Sequence, residues 1–164
     1  MKLSHKISPC LWFDSEAEEA AKFYTAIFPD SKVGDISRYA EDSKESGKPA
    51  GSVLLVEFTV NGQPFTALNG GPIFKFNEAI SFQIYVDDQK ELDYYWDKLG
   101  AGGDPKSHVC GWLKDKYGLS WQIVPAEAVE WWKKPDERSK RAFQAMMKMG
   151  KLDIAALKKA YNGG

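Results

Sequence analysis

The chain contains one pattern twice: a short apolar strand ends in an aspartate, and an amphipathic helix follows. The first copy runs over 7–14 and continues into a helix predicted over 15–28. The second runs over 80–87 and continues into a helix predicted over 89–99. A repeat of this length within one small protein indicates a duplicated module. We therefore expect two small sheets, and a cleft lined by strands from both copies.

The two helices carry start and stop signals as well as apolar periodicity. Ser15 with Glu18, and Asp88 with Glu91, have the spacing of capping boxes, and Gly100 ends the second helix. The apolar positions recur at helical spacing in both segments. They are Ala17, Ala20, Ala21, Tyr24, Ile27 and Phe28 in the first helix, and Leu92, Tyr95, Trp96 and Leu99 in the second.

Strands and tight turns follow each helix. In the first copy, strands are predicted over 32–39, 53–60 and 64–69, with a type I′ hairpin at Asn61-Gly62. In the second copy, segments 111–116 and 119–124 flank Tyr117-Gly118 in a similar hairpin. A further short strand is expected within 102–110.

The remainder of the chain, after Pro125, has a helical and basic pattern. Two stripes stand out, Ala142, Phe143, Met146 and Met149 in one and Ile154, Leu157 and Tyr161 in the other. They are most simply core contacts, on the sheet or on a partner subunit. The basic residues from Lys133 to Lys159 are interpreted as a solvated face docked on an acidic body. An anion-attracting patch or a protein-binding surface are the alternatives.

Composition excludes several classes of function. The 164 residues include 22 Lys and Arg against 23 Asp and Glu, which argues against nucleic acid as a partner. No apolar run has the length of a membrane span, and the N-terminus lacks a signal-peptide core. Two cysteines, Cys10 and Cys110, do not make a disulfide framework. We expect a cytoplasmic protein without a membrane partner.

Five segments resemble one family closely. They are Ile7-Ser-Pro-Cys-Leu-Trp-Phe-Asp, Ala67-Leu-Asn-Gly-Gly-Pro, Ala79-Ile-Ser-Phe-Gln, Cys110-Gly-Trp-Leu-Lys-Asp-Lys-Tyr-Gly-Leu-Ser-Trp-Gln and Met149-Gly-Lys-Leu-Asp-Ile-Ala-Ala-Leu. With the repeated βαβββ plan, they resemble the PhnB-like group of the vicinal oxygen chelate superfamily, often labelled 3-demethylubiquinone-9 3-methyltransferase. The resemblance implies an α+β fold of paired βαβββ modules, about 1–72 and 73–125, with a C-terminal helical extension over 126–164. It also implies a homodimer that binds a small molecule.

The methyltransferase label finds no support in the residues. A class I methyltransferase binds S-adenosylmethionine at a glycine-rich turn between a strand and a helix. The only such run here, Gly100-Ala-Gly-Gly103, follows a predicted helix. A helix C-cap explains it better.

The metal ligands of the superfamily are also missing from the sequence. By analogy with glyoxalase I, they would fall at Pro9, Ala67, Ser81 and Gln122, and none of these is a histidine or carboxylate. The two histidines, His5 and His108, are interpreted as structural or exposed. We therefore expect no metal and no other cofactor.

Strand alternation, together with the position of Trp112 near the mouth of the second module, then predicts what lines the cleft. The predicted ligand-binding residues are Leu11, Phe13, Phe65, Asn69, Ser81, Gln83, Tyr85, Trp112 and Gln122. This aromatic cup with neutral polar groups suits a neutral or weakly polar small molecule. One alternative is that the polar groups only bond one another inside a filled barrel. Another is an enzyme of the lyase, isomerase or dioxygenase type, with a nonstandard metal site or a thiol mechanism. Its candidate catalytic residues are Tyr85, as a general base, and Cys110, as a nucleophile activated by His108 or Lys114.

Overall fold

The computed structural model describes residues 6–164 and divides into two compact units, the first ending at Lys75 and the second beginning at Phe76. The extension predicted over 126–164 belongs to the second unit. His5 lies outside the described residues. No helix within 6–164 combines the length and the apolar composition that crossing a membrane requires.

The first unit is a four-stranded sheet with one helix. Its elements are β1 (Cys10–Phe13), α1 (Ala17–Ile27), β2 (Lys32–Arg38), β3 (Val53–Val60) and β4 (Gln63–Asn69). The sheet order is β1-β4-β3-β2, with β1 parallel to β4 and the other pairs antiparallel. Both central residues of the β3–β4 turn have positive φ, 47° at Asn61 and 75° at Gly62. The predicted type I′ hairpin is confirmed.

The second unit repeats this plan with one strand fewer and adds helices at its end. Its elements are β5 (Ser81–Val86), α2 (Gln89–Gly100), a 3₁₀ helix (Pro105–Ser107), β6 (Trp112–Lys114), β7 (Ser120–Pro125), α3 (Ala126–Trp132), α4 (Glu137–Met146) and α5 (Ile154–Asn162). The sheet order is β5-β7-β6, with β5 parallel to β7. The 3₁₀ helix stands where a strand was predicted within 102–110, so that prediction was wrong. Asp104 and Pro105 favour this short helix, because the carboxylate caps it and proline suits its first position.

The two helices that cover the sheets begin in different ways. At α2, Asp88 accepts from the backbone N–H of Glu91 at 2.8 Å, as the sequence predicts. The capping box predicted at Ser15 and Glu18 was wrong, because α1 begins at Ala17 and its N-cap residue, Glu16, makes no side-chain capping bond. Its cap comes from the sheet: the Oδ1 atom of Asn69 accepts from the Ala17 N–H at 2.8 Å.

A buried carboxylate organises the β6–β7 turn. Asp115 is only 2% exposed. Its Oδ1 accepts from the backbone N–H groups of Tyr117 and Leu119 at 2.9 and 3.1 Å, and its Oδ2 accepts from the Trp121 indole at 2.9 Å. These bonds fix the turn and hence the register in which β6 meets β7.

The C-terminal helices are attached to α2. Gln89 donates to the backbone oxygen of Leu152 at 3.1 Å and accepts from the N–H of Ile154 at 2.9 Å. Lys151 pairs with Asp93 at 2.7 Å, and this bond lowers the pKa of the aspartate. Part of the basic segment therefore docks on acidic residues of α2, as the simpler interpretation expects.

Candidate ligand pocket

Four polar side chains form a chain of hydrogen bonds across β5 and β7, which we call the polar ladder: Ser81, Gln83, Tyr85 and Gln122. The Tyr85 hydroxyl donates to Gln83 Oε1 at 2.8 Å, and Gln83 Nε2 donates to Gln122 Oε1 at 3.3 Å. Gln122 Nε2 then donates to Ser81 Oγ at 2.8 Å. The ladder is uncharged, and its amides and hydroxyls have further capacity to bond a ligand.

The polar ladder lies on the face of the sheet opposite α2, because side chains alternate across a strand. Ser81 pairs with Ser120, and Gln83 pairs with Gln122, so these four residues share one face. The intervening residues Trp121 and Ile123 are buried, at 4% and 0% exposure. The predicted orientation of Ser81, Gln83, Tyr85 and Gln122 is thus consistent with the structure of this unit.

A pocket of about 1260 Å³ opens on that face, and every residue that lines it belongs to the second unit. The sheet contributes Gln83, Tyr85, Trp112, Leu113, Lys114, Ser120, Gln122 and Val124. The helical extension contributes an apolar wall and its flanks, including Val129, Trp132, Phe143, Met146 and Met147. A concave, mainly apolar cavity with a few neutral polar groups is typical of small-molecule sites.

Several apolar side chains of the pocket are exposed to solvent. Tyr85 is 55% exposed, Phe143 48% and Met147 54%. Clustered exposed apolar groups of this kind mark binding surfaces. The sequence predicts that the stripe with Phe143 and Met146 makes core contacts, on the sheet or on a partner subunit. Ala142 is fully buried, whereas Phe143 is exposed and lines the pocket, so Phe143 makes no core contact within this unit.

The structure corrects the placement of the four cup residues predicted from the first copy. Leu11, Phe13, Phe65 and Asn69 are buried, with exposures between 4% and 7%. Phe65 stacks on Phe58 at 5.4 Å, and Phe58 stacks on Tyr24 of α1 at 6.2 Å. Leu11 and Phe13 share this face, since they pair with Ala67 and Asn69 across the parallel ladder. All four therefore pack toward α1 and do not line an open face.

The error is a shift of one residue, and the repeat itself contains the correction. When the two copies are aligned at Asp14 and Asp87, Cys10 corresponds in sequence to Gln83, and Trp12 corresponds to Tyr85. The face of the first sheet that matches the polar ladder therefore carries Cys10 and Trp12, with Thr66 beside Cys10. Glu57 pairs with Thr66 and belongs to this face as well. The glyoxalase I positions indicate the other face of the first sheet, and only the internal repeat indicates this one.

Cys110 also lines the pocket, but its surroundings differ from those proposed for a reactive thiol. Its Sγ donates to the Met147 Sδ at 3.6 Å. His108 instead packs on Trp96, with ring centres 4.9 Å apart. Lys114 pairs with Glu78 at 2.5 Å, and this bond lowers the pKa of the glutamate. Within 6–164, neither His108 nor Lys114, the two residues predicted to activate the thiol, forms a hydrogen bond with it.

The described side chains differ from those of a metal site of the superfamily. Within 6–164, no three His, Cys, Asp or Glu side chains come together in a group that could hold a metal ion. The side chains at the analogous positions Ser81 and Gln122 bond to each other. Neutral hydroxyl and amide oxygens do not fit the His and carboxylate chemistry of the superfamily's metal centres.

Comparisons with known proteins agree with this architecture. A family model described as 3-demethylubiquinone-9 3-methyltransferase matches residues 5–124. The PhnB protein from Bacillus cereus, which carries the same methyltransferase label, is 37% identical, with a TM-score of 0.63. That match covers 74% of this chain and 100% of the Bacillus protein. A search of proteins with curated functions gave no match.

More distant structures show the fold alone. A Pseudomonas aeruginosa protein is 20% identical with a TM-score of 0.56, covering 74% of this chain and 98% of that one. The fosfomycin resistance protein FosX from Mesorhizobium loti is 12% identical with a TM-score of 0.52, covering 80% of this chain and 99% of that one. Together with the repeated sheet-and-helix units, these matches confirm the predicted α+β fold. The chain belongs to the PhnB-like family, described as 3-demethylubiquinone-9 3-methyltransferase.

Proposed function

We propose that this chain binds a flat, largely apolar small molecule in the pocket of its second unit, oriented by the polar ladder and without a metal ion. The single observation that carries the proposal is the chain of uncharged groups beneath an exposed apolar wall. Tyr85, Gln83 and Gln122 line the pocket together with Trp112 and Phe143. Amide and hydroxyl groups orient a ligand, and the aromatic rings bury its faces.

Methyl transfer is not part of the proposal, although the Bacillus relative carries that label. The Gly100–Gly103 run begins at the last residue of α2, and Gly102 has φ 78°, as expected of a turn that ends a helix. Its backbone does not follow a strand, so it lacks the setting in which such a run cradles S-adenosylmethionine. The label describes the family and assigns no residue of this chain a role in methyl transfer.

A thiol enzyme is the second candidate, favoured by one observation: Cys110 lines the same pocket. Covalent chemistry needs a thiolate, and a thiolate needs a base or cation nearby. The binding proposal predicts that Cys110→Ser leaves ligand affinity within twofold of the parent. Loss of both binding and a measured turnover in Cys110→Ser would favour the enzyme.

The binding proposal is tested with 2-acetylnaphthalene, a flat ketone, titrated into the full-length protein by calorimetry. Phe143→Asp should weaken binding by about tenfold or more, because a charge then stands in the apolar wall. The parent side chain is already 48% exposed, so the fold should tolerate the change. Ile80→Asp is the matched control, since Ile80 is 68% exposed and does not line the pocket. No binding by the parent protein, or equal weakening by both variants, contradicts the proposal.

A further inference from the structure

The sulfur atoms of this chain are concentrated at one wall of the pocket. Three of its four methionines, Met146, Met147 and Met149, lie within residues 146–149. Two of them, Met146 and Met147, line the pocket together with Cys110, one of only two cysteines. The Cys110 thiol donates to the Met147 Sδ at 3.6 Å. A thiol and two thioethers thus share one wall, and we call Cys110, Met146 and Met147 the sulfur cluster.

Backbone hydrogen bonds hold the sulfur cluster together. The Cys110 N–H donates to the Met149 carbonyl oxygen at 2.7 Å, and the Gly111 N–H donates to the Gly150 oxygen at 2.8 Å. These two bonds join the turn before β6 to the segment that follows α4, so the fold itself positions the thiol beside the Met147 thioether. Met147 is 54% exposed, and Cys110 is half-buried. Both side chains therefore border the open pocket, where an ion can approach them from solvent.

The chemistry of these side chains selects one class of ion. Thiolate and thioether sulfurs are soft ligands that favour Cu(I), whereas carboxylate and carbonyl oxygens favour Mg²⁺, Ca²⁺ and Mn²⁺. A thioether carries no charge, so one thiolate with thioethers balances the charge of a monovalent ion. Zinc–thiolate bonds are about 2.3 Å long, and an ion with bonds of that length reaches two sulfur atoms up to about 4.6 Å apart. The 3.6 Å between Cys110 Sγ and Met147 Sδ lies within this limit.

We propose that the sulfur cluster binds one Cu(I) ion, with the Cys110 thiolate and the Met147 thioether as ligands and the Met146 thioether available as a third. Binding breaks the Cys110 S–H bond, forms a sulfur–copper bond and releases the proton to solvent. The absence of metal expected from the sequence concerns the histidine and carboxylate ligands of the superfamily, and a site with two thioethers is of a different kind. The proposal involves no residue of the polar ladder and does not depend on the small molecule.

The test is a competition for Cu(I) between the full-length protein and bicinchoninate, a coloured Cu(I) chelator, in anaerobic buffer with ascorbate. The protein should withdraw one equivalent of copper from the chelator. Cys110→Ser and Met147→Leu should each weaken Cu(I) binding by about tenfold or more, since even groups that only orient a metal ligand are worth about 10- to 100-fold in affinity. Met147→Leu nearly keeps the volume of an already exposed side chain and should leave the fold unchanged. Cys10→Ser is the matched control, because Cys10 is an exposed free cysteine of β1 in the first unit.

The methionine methyl groups give a direct readout. In a ¹H–¹³C spectrum of the full chain, the methyl resonance missing from Met147→Leu should move when one equivalent of Cu(I) is added and stay in place with Mn²⁺. Weaker binding by Cys110→Ser and Met147→Leu, with the parent affinity in Cys10→Ser, supports the proposal. Equal weakening by the two serine variants, or the parent affinity in Met147→Leu with an unmoved methyl resonance, overturns it. Failure of the parent protein to compete with bicinchoninate also overturns it and leaves the small-molecule proposal intact.

Discussion

Replacing Asn69 with alanine separates a structural role from the ligand-binding role that the sequence suggested. The side chain is 4% exposed and joins three parts of the first unit. Its Oδ1 caps α1 by accepting from Ala17 N–H at 2.8 Å, and its Nδ2 donates to the Val53 oxygen at 3.1 Å. Neither atom is directed to an open face.

The magnitude follows from these two bonds. Each buried hydrogen bond contributes about 1 kcal/mol net, and leaving its partner unsatisfied inside the protein raises the cost toward about 2 kcal/mol. Loss of a helix cap lies in the same range. We expect Asn69→Ala to lower the free energy of unfolding by about 3 kcal/mol. In a chain of this size, that corresponds to a fall in Tm of roughly 6–12 °C.

Urea denaturation measures the change, and the chain supplies a matched control. Asn77 makes the same kind of bond, from Ala79 N–H at 2.9 Å, but it is exposed. Asn77→Ala should therefore cost about 0.5 kcal/mol or less. Asn69→Asp keeps the acceptor for the cap and should fall between alanine and the parent. If Asn69→Ala is as stable as the parent but loses affinity for 2-acetylnaphthalene, the structural assignment is refuted.

Three further predictions concern the second unit. Gln122→Leu removes both hydrogen bonds that this side chain makes in the polar ladder. Calorimetry should show binding of 2-acetylnaphthalene weakened about tenfold, while the far-UV circular dichroism spectrum stays unchanged. An unchanged affinity would contradict the role of the ladder. Asp136 caps α4, and the bond from the Ser139 backbone N–H lowers the pKa of its carboxyl group. Its stabilising contribution is therefore present above the ordinary carboxyl pKa and is lost as the pH falls through the lowered value. Asp136→Asn should reduce this loss of stability at acid pH, and an unchanged pH dependence of the free energy of unfolding would contradict the assignment. Gly103→Ala should strongly destabilise the protein, because a Cβ there would lie 2.1 Å from the Lys114 carbonyl oxygen. At Gly100 in α2, an added Cβ would lie no closer than 3.8 Å to these neighbouring atoms, so Gly100→Ala should raise the free energy of unfolding by about 0.5–1 kcal/mol. Equal Tm values for the two variants in thermal melts would refute this contrast.

Most of the fold can be predicted from the sequence because its local signals agree with its long-range pairing. The Asn61-Gly62 turn and the Asp88 cap depend only on neighbouring residues, and both form as expected. The cap of α1 could not be predicted in this way, because Asn69 reaches Ala17 from 52 positions away. The missing strand within 102–110 was expected only from the symmetry of the repeat, which the local preference of Asp104-Pro105 overrides.

The candidate site was predictable in the second unit and not in the first. Polar and apolar residues alternate along β5, so the direction of Gln83 and Tyr85 follows once Val86 is placed in the core. In β1 both faces are apolar or aromatic, and alternation alone cannot tell Trp12 from Phe13. The contribution of Trp132 was hidden for a different reason. An aromatic residue in a helix is usually core, and only the structure shows that Trp132 is one of the residues that line the pocket.

The most direct test of the account is the affinity of the full-length protein for 2-acetylnaphthalene after dialysis against EDTA, measured by calorimetry with and without added Ni²⁺. If uncharged groups of the polar ladder hold the ligand, the two dissociation constants should agree within twofold. The Gln122→Leu variant should be weakened equally in both conditions. Binding that appears only after Ni²⁺ is added would contradict the account and place a metal at the centre of this site.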